Sequence, residues 1–115
     1  MTRIQYQECI DACIKCMDAC NYSYVSSLKQ YDLAALRESI QLDRECADMC
    51  SFAIQAMTRQ SPFVVEILRL CADICERCAD TSSRQSLAHC RDCIDACRSA
   101  AMACRLVSGV ASVYA

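Results

Sequence analysis

The 115-residue chain has one glycine, one proline and no tryptophan. Strand-rich folds need frequent turns, and turns draw on glycine and proline, so an all-β architecture is excluded. Histidine also occurs once, at His89, and no Ser-His-Asp set, Gly-rich loop or H-E-x-x-H motif is present. That leaves no base–nucleophile pair, and no enzymatic role is expected. The formal net charge is −2 and no basic stripe appears. Nucleic acid is therefore a poor partner. No apolar run is long enough to cross a membrane. The opening "MTRIQYQEC" has neither an apolar core nor a twin-arginine signal, which points to the cytoplasm. The length suits a single domain over residues 1–115.

What the chain does have is cysteine, thirteen of them. An odd number cannot pair completely. Disulfides are rare in a reducing cytosol, and a chain of this size can build a core without them.

The sequence predicts four helices. The first spans about Ile4 to Ser27. Asp32 caps a second from Leu33 to about Thr58. Ser61 and Pro62 read as the N-cap and first residue of a third, which runs to about Thr81. After the polar "SSRQS", a fourth extends from about Gln85 to Gly109, a residue suited to a helix end. Short connections between long helices predict an antiparallel up-down-up-down four-helix bundle, an all-α fold.

Helical phase organises the thiols. Cys9, Cys13, Cys16 and Cys20 fall within about 60° of one another. Cys46 and Cys50 share a face of the second helix, and Cys71, Cys75 and Cys78 share one of the third. Cys90, Cys93, Cys97 and Cys104 line the fourth. Each helix carries cysteines where a bundle normally carries its leucine and isoleucine stripe. The stripes should face inward and form a thiol-lined column, with Cys13, Cys46, Cys75 and Cys90 at similar heights. The pattern C-x-D-x-C occurs five times. Its aspartates, Asp11, Asp18, Asp48, Asp73 and Asp95, lie about 200° from the leading cysteine and should face solvent.

Residues four apart on a helix have Cβ atoms about 5–6 Å apart. A disulfide requires about 3.5–4.5 Å. Two thiolates on one metal ion sit roughly 4 Å apart, given metal–sulfur bonds of about 2.3 Å. The spacing therefore fits chelation better than disulfides. Soft thiolates select Cu(I), Zn(II) and iron–sulfur clusters. Charge favours Cu(I), because one monovalent ion per thiolate leaves a dry column neutral. Zinc wants separate tetrahedral sites, and the cysteines do not divide into closed sets of four. Zinc and an iron–sulfur cluster for electron transfer or cluster storage stay open, as does a metal-free thiol redox role.

The stretches "LDRECADMC", "SPF", "CADICERC" and "HCRDCIDAC" resemble the cysteine-rich four-helix-bundle copper storage proteins, the Csp family, over about Tyr6 to Cys104. The lack of an export signal matches the cytosolic branch. The resemblance implies storage of many Cu(I) ions by core cysteines, with all thirteen as ligands. It also implies tetrameric assembly and no turnover; it names no copper donor or acceptor. Members of that branch carry more cysteines. Here "NYSYVSS", "ESIQ", "EILRL" and "DTSSR" hold other residues, and Ala100 interrupts the last stripe. Most of these losses gather at one end, whose core should be apolar or hydroxylated; Tyr22, Tyr24, Leu28, Leu36 and Ile40 suggest an apolar plug or a subunit contact there.

Among auxiliary ligands, Met57 fits best, because it continues the Cys46–Cys50 stripe towards the end that carries Cys104. Met49 and Met17 flank a stripe, and both also suit core packing. Met1 is expected at that same end. His89 precedes Cys90 and sits about 100° off the stripe, suited to a flank or to an entry ligand.

Overall fold

The structure is a computed structural model, and it describes residues 1–114. Among the described residues there are four helices: α1 (Arg3–Leu28), α2 (Leu33–Thr58), α3 (Val64–Ser82) and α4 (Ala88–Tyr114). Each packs on its neighbour in sequence, and α1 also packs on α4 to close a four-cornered bundle. The result is a rod of 48 × 18 × 18 Å. The fold is the all-α bundle expected.

Local chemistry sets the helix starts. The Thr2 amide donates to Gln5 Oε1 at 2.7 Å, which starts α1. Asp32 Oδ1 accepts from the Ala35 amide at 3.3 Å and caps α2 as expected. The third helix starts later than its sequence suggests. Ser61 Oγ accepts from the Phe63 amide, two residues on, at 3.1 Å. That bond makes a turn of Ser61–Phe63, so the helix begins at Val64. Gln60 precedes it in the left-handed region, at φ 53°.

The fourth helix departs at both ends. It begins at Ala88, because Gln85 reaches across to donate to the Ala35 carbonyl at the start of α2. It also runs through Gly109, which keeps an ordinary helical backbone. Cys90 is the third residue of α4 and so lies close to the end of the bundle, seven residues and about 10.5 Å of helix from Cys97. Cys90 therefore does not share a level with Cys46 and Cys75. Cys97 does, and Cys16 rather than Cys13 completes that level on α1. Cys16 and Cys46 lie nearly equidistant from the α1–α2 turn, which is what antiparallel packing requires.

The core is small-residue packing around sulfur. Ala53, Ala56, Ala72 and Ala100 are fully buried beside the cysteines. Leu68 and Met57 are the largest apolar side chains without solvent contact. The five C-x-D-x-C aspartates are all exposed, as their phase requires. Asp48 pairs with Arg44 one turn away, and Arg105 bridges to Asp73 and to Glu76 at 2.9 Å.

Candidate metal centre

All thirteen cysteines are free thiols with no solvent exposure. Twelve fall into five groups whose sulfurs lie within 4.8 Å of one another. In order along the rod these are Cys9–Cys13–Cys104, then Cys13–Cys50–Cys71, then Cys16–Cys46–Cys50–Cys75. Cys16–Cys20–Cys46–Cys97 and Cys20–Cys78–Cys93–Cys97 follow. Cys13, Cys16, Cys20, Cys46, Cys50 and Cys97 each belong to two groups, so the column is one connected chain of sulfur.

The distances favour chelation. Cys16 and Cys20, one helical turn apart, have sulfurs 3.9 Å apart, and Cys93 and Cys97 repeat the value. Between helices, Cys16–Cys97 and Cys46–Cys75 are at 3.6 Å. Cys9–Cys104 and Cys20–Cys93 are at 3.7 Å. These match the roughly 3.8 Å edge between two thiolates on one ion with 2.3 Å bonds. All lie far outside the S–S bond of about 2.05 Å. Without metal, the thiols hydrogen-bond to one another. Those bonds, Cys16's first, hold the Cys46 and Cys97 thiols above their ordinary pKa, and burial adds to the effect.

At one end the sulfur gives way to oxygen. Asp43 is fully buried, and its Oδ1 accepts from Cys78 and from Cys93, each at 3.5 Å. Its Oδ2 and the buried Ser23 Oγ have no partner in hydrogen-bond geometry, but Ser23 is near enough to the carboxyl to pull its pKa down in part. Burial, and then the nearby Cys78, push the Asp43 carboxyl up to about 7. Cys90 lies at the same end, outside the five thiol groups. Its thiol is pushed up to about 11 by burial and by Asp43. Further out, Ser39 Oγ meets Ser82 Oγ at 3.3 Å and Ser27 Oγ meets His89 Nε2 at 3.0 Å.

The copper storage protein family model matches residues 2–109. The chain belongs to the copper storage protein family. A cysteine-rich protein of Bacillus subtilis, YhjQ, is 53% identical over 73 residues, which is 63% of this chain and 68% of that one. The Cu(I)-bound copper storage protein BsCsp3 of Bacillus subtilis is 44% identical with a TM-score of 0.86, covering 90% of this chain and 97% of that one. A cytosolic copper storage protein from Streptomyces lividans, in a structure with five coppers, is 30% identical. It has a TM-score of 0.89 and covers 93% of this chain and 94% of that one.

As a member of the copper storage family, the chain is notable for what replaces its missing thiols. Of the two fillings expected at that end, apolar or hydroxylated, the structure shows the hydroxylated one, joined by a carboxyl. Of the five plug residues only Leu36 is buried; Tyr22 and Leu28 are exposed, and Tyr24 and Ile40 are half-buried. The interior there is filled by Ser23, Ser27, Ser39, Ser82 and Asp43 instead. Helical phase could have found them. Asp43 is three residues before Cys46, Ser23 three after Cys20 and Ser82 four after Cys78, each on its helix's thiol stripe. Met57 is fully buried within the core, and Met1, Met17 and Met49 pack partly buried against it. Met102 is exposed. His89 is half-buried and engaged with Ser27, which places it on the flank of the polar end.

Proposed function

We propose that this chain is a copper storage and buffering protein that holds many Cu(I) ions on its core thiolates, acts in the cytosol and carries out no turnover. The ligands in this reading are all thirteen cysteines. Met57 and Met49 serve as soft auxiliary donors, and His89 as a flank donor.

The observation that carries the reading is the sharing of sulfurs between adjacent groups. Cu(I) accepts two or three thiolates and tolerates thiolates that bridge two ions, so a connected column can fill without vacant ligands. Each thiol loses its proton as an ion arrives, and each thiolate charge is matched by one Cu(I), which spares a buried net charge. Two groups, Cys16–Cys46–Cys50–Cys75 and Cys20–Cys78–Cys93–Cys97, share no cysteine, but a four-thiolate zinc or iron–sulfur site in each would leave net negative charge buried and Cys9, Cys13, Cys71, Cys90 and Cys104 unused. The family and its Cu(I)-loaded relatives support the same conclusion.

Assembly into a homotetramer fits the surface. Met102, Leu106, Val110 and Val113 are exposed and recur every three or four residues, so they form one apolar ridge along α4.

Anaerobic titration of the reduced apo-protein with Cu(I) against a chromophoric competitor tests the proposal. Uptake should reach roughly one ion per cysteine, the ratio that leaves the column neutral. Saturation at one or two ions per chain would overturn it.

A further inference from the structure

We infer that the middle of the column also takes a single tetrahedral divalent cation of the Zn(II) class, held by Cys16, Cys20, Cys46 and Cys97. The inference rests on reading the column as a metal site and adds a second class of ion to it. Spacing along the chain shows no closed set of four cysteines, because the members come from three helices, α1, α2 and α4. The fold assembles one.

The four sulfurs form a near-regular tetrahedron. Cys16 stands 3.9 Å from Cys20, 3.7 Å from Cys46 and 3.6 Å from Cys97. Cys20–Cys97 is 3.6 Å and Cys46–Cys97 is 3.9 Å. Cys20–Cys46 closes the figure within 4.8 Å. Zinc with sulfur bonds of about 2.3 Å needs edges of about 3.8 Å. Cu(I) takes two or three thiolates, so a complete tetrahedron around one point is more than it uses. An iron–sulfur cluster puts several atoms between its cysteines and needs them farther apart. Of the flanking sets of four, one includes Cys16–Cys75 at 4.0 Å and the other Cys78, whose thiol donates to Asp43.

The surroundings offset the charge. Four thiolates on one divalent ion leave two negative charges uncancelled, which a dry core resists. Cys75 lies 3.6 Å from Cys46 and 4.0 Å from Cys16. Cys93 lies 3.7 Å from Cys20 and 3.9 Å from Cys97. Both stand outside the tetrahedron and keep their protons, so each has an S–H to turn towards a bound thiolate. Partners of this kind orient and tune a metal's ligands. A pair of zinc ions in the two flanking sets would lose that support, because Cys75 and Cys93 would become ligands themselves. One ion per chain is therefore the limit for zinc, whereas Cu(I) neutralises each thiolate as it fills the column.

The test uses full-length, reduced apo-protein and Zn(II) alone, so its outcome is separable from that of the Cu(I) titration. Titration against a chelator should find one ion per chain bound far more tightly than any further ion. Co(II) in its place should show tetrahedral bands with four thiolates. Single serine variants locate the site. Cys46→Ser and Cys97→Ser should each weaken the ion by at least about 10-fold, the smallest effect expected when a metal site loses even a supporting group. Cys50→Ser and Cys78→Ser each cost the column a copper ligand and break one flanking set, yet should retain the zinc ion. Circular dichroism confirms that the variants are folded. Two equally tight ions per chain, a Co(II) spectrum with fewer than four thiolates, no tightly bound ion, or a loss in Cys50→Ser or Cys78→Ser equal to that in Cys46→Ser overturns the inference.

Discussion

Asp43 is a carboxyl that folding makes harder to ionise, and this has a measurable consequence in the apo-protein. Its pKa rises from 3.8 to about 7 in the folded chain. Below about pH 4 it is protonated whether folded or not, and burial costs no charge. Between about pH 4 and 7 the unfolded chain releases the proton first, so stability falls as pH rises; above about pH 7 the loss is complete. At about 1.36 kcal/mol per pKa unit the full loss is at most about 4 kcal/mol. Asp43→Asn removes the titration. Urea unfolding of the metal-free proteins should show the variant gaining on the wild type from pH 4 to 8, ending about 2–4 kcal/mol more stable. A constant difference across that range would refute it.

The cysteines are unequal at the same scale. Cys16 and Cys46 each serve two sulfur groups, and Cys90 serves none. Cys16→Ala should therefore lower Cu(I) capacity by more than the single ion expected from the removed charge, whereas Cys90→Ala should lower it by one at most. Equal losses in anaerobic titration would show that the groups fill independently. Helical phase made every cysteine legible, because a stripe of thirteen thiols has few other uses. A hydroxylated end was legible from the serines that stand in place of further cysteines, but Asp43 was not singled out, because an aspartate on a helix is normally assigned to solvent even where its phase sets it on the thiol stripe.

At the scale of the element, α2 was legible to its end residues. It starts at an aspartate cap and ends before a tight turn, both local signals. The ends of α4 were not. Its start depends on the Gln85–Ala35 bond to another helix, which sequence spacing cannot show. Its continuation past Gly109 follows from the flexibility of glycine, which permits a stop without enforcing one. A Cβ built at Gly109 meets nothing within 4 Å, and the residue needs no left-handed backbone. Glycine there costs the helix entropy and returns no packing. Gly109→Ala should therefore stabilise the chain by about 0.5–1 kcal/mol. Thermal or urea unfolding checks this, and a loss of stability would mean that the surface around Gly109 is closed by another subunit.

That last outcome leads to the scale of the whole molecule. A rod only 18 Å across has a large surface for its core, and the apolar ridge on α4 remains uncovered in one chain. Leu106 is 68% exposed and Val113 80%, and with Gly109 and Val110 they line a shallow groove. Single exposed hydrophobes are ordinary, but a continuous ridge marks a contact surface. The thiol column lies on the opposite side of α4, so disrupting the ridge should separate assembly from storage. Leu106→Glu places a charge in the middle of the ridge, where an interface would have to bury it unpaired. Light scattering coupled to size exclusion should then report a mass near the 12.8 kDa of one chain, where the parent protein gives a multiple of it. Helicity and Cu(I) bound per chain should be unchanged. If the variant keeps the parent's mass, the subunits meet through another face; if it loses copper per chain, the column depends on assembly and the two properties are coupled.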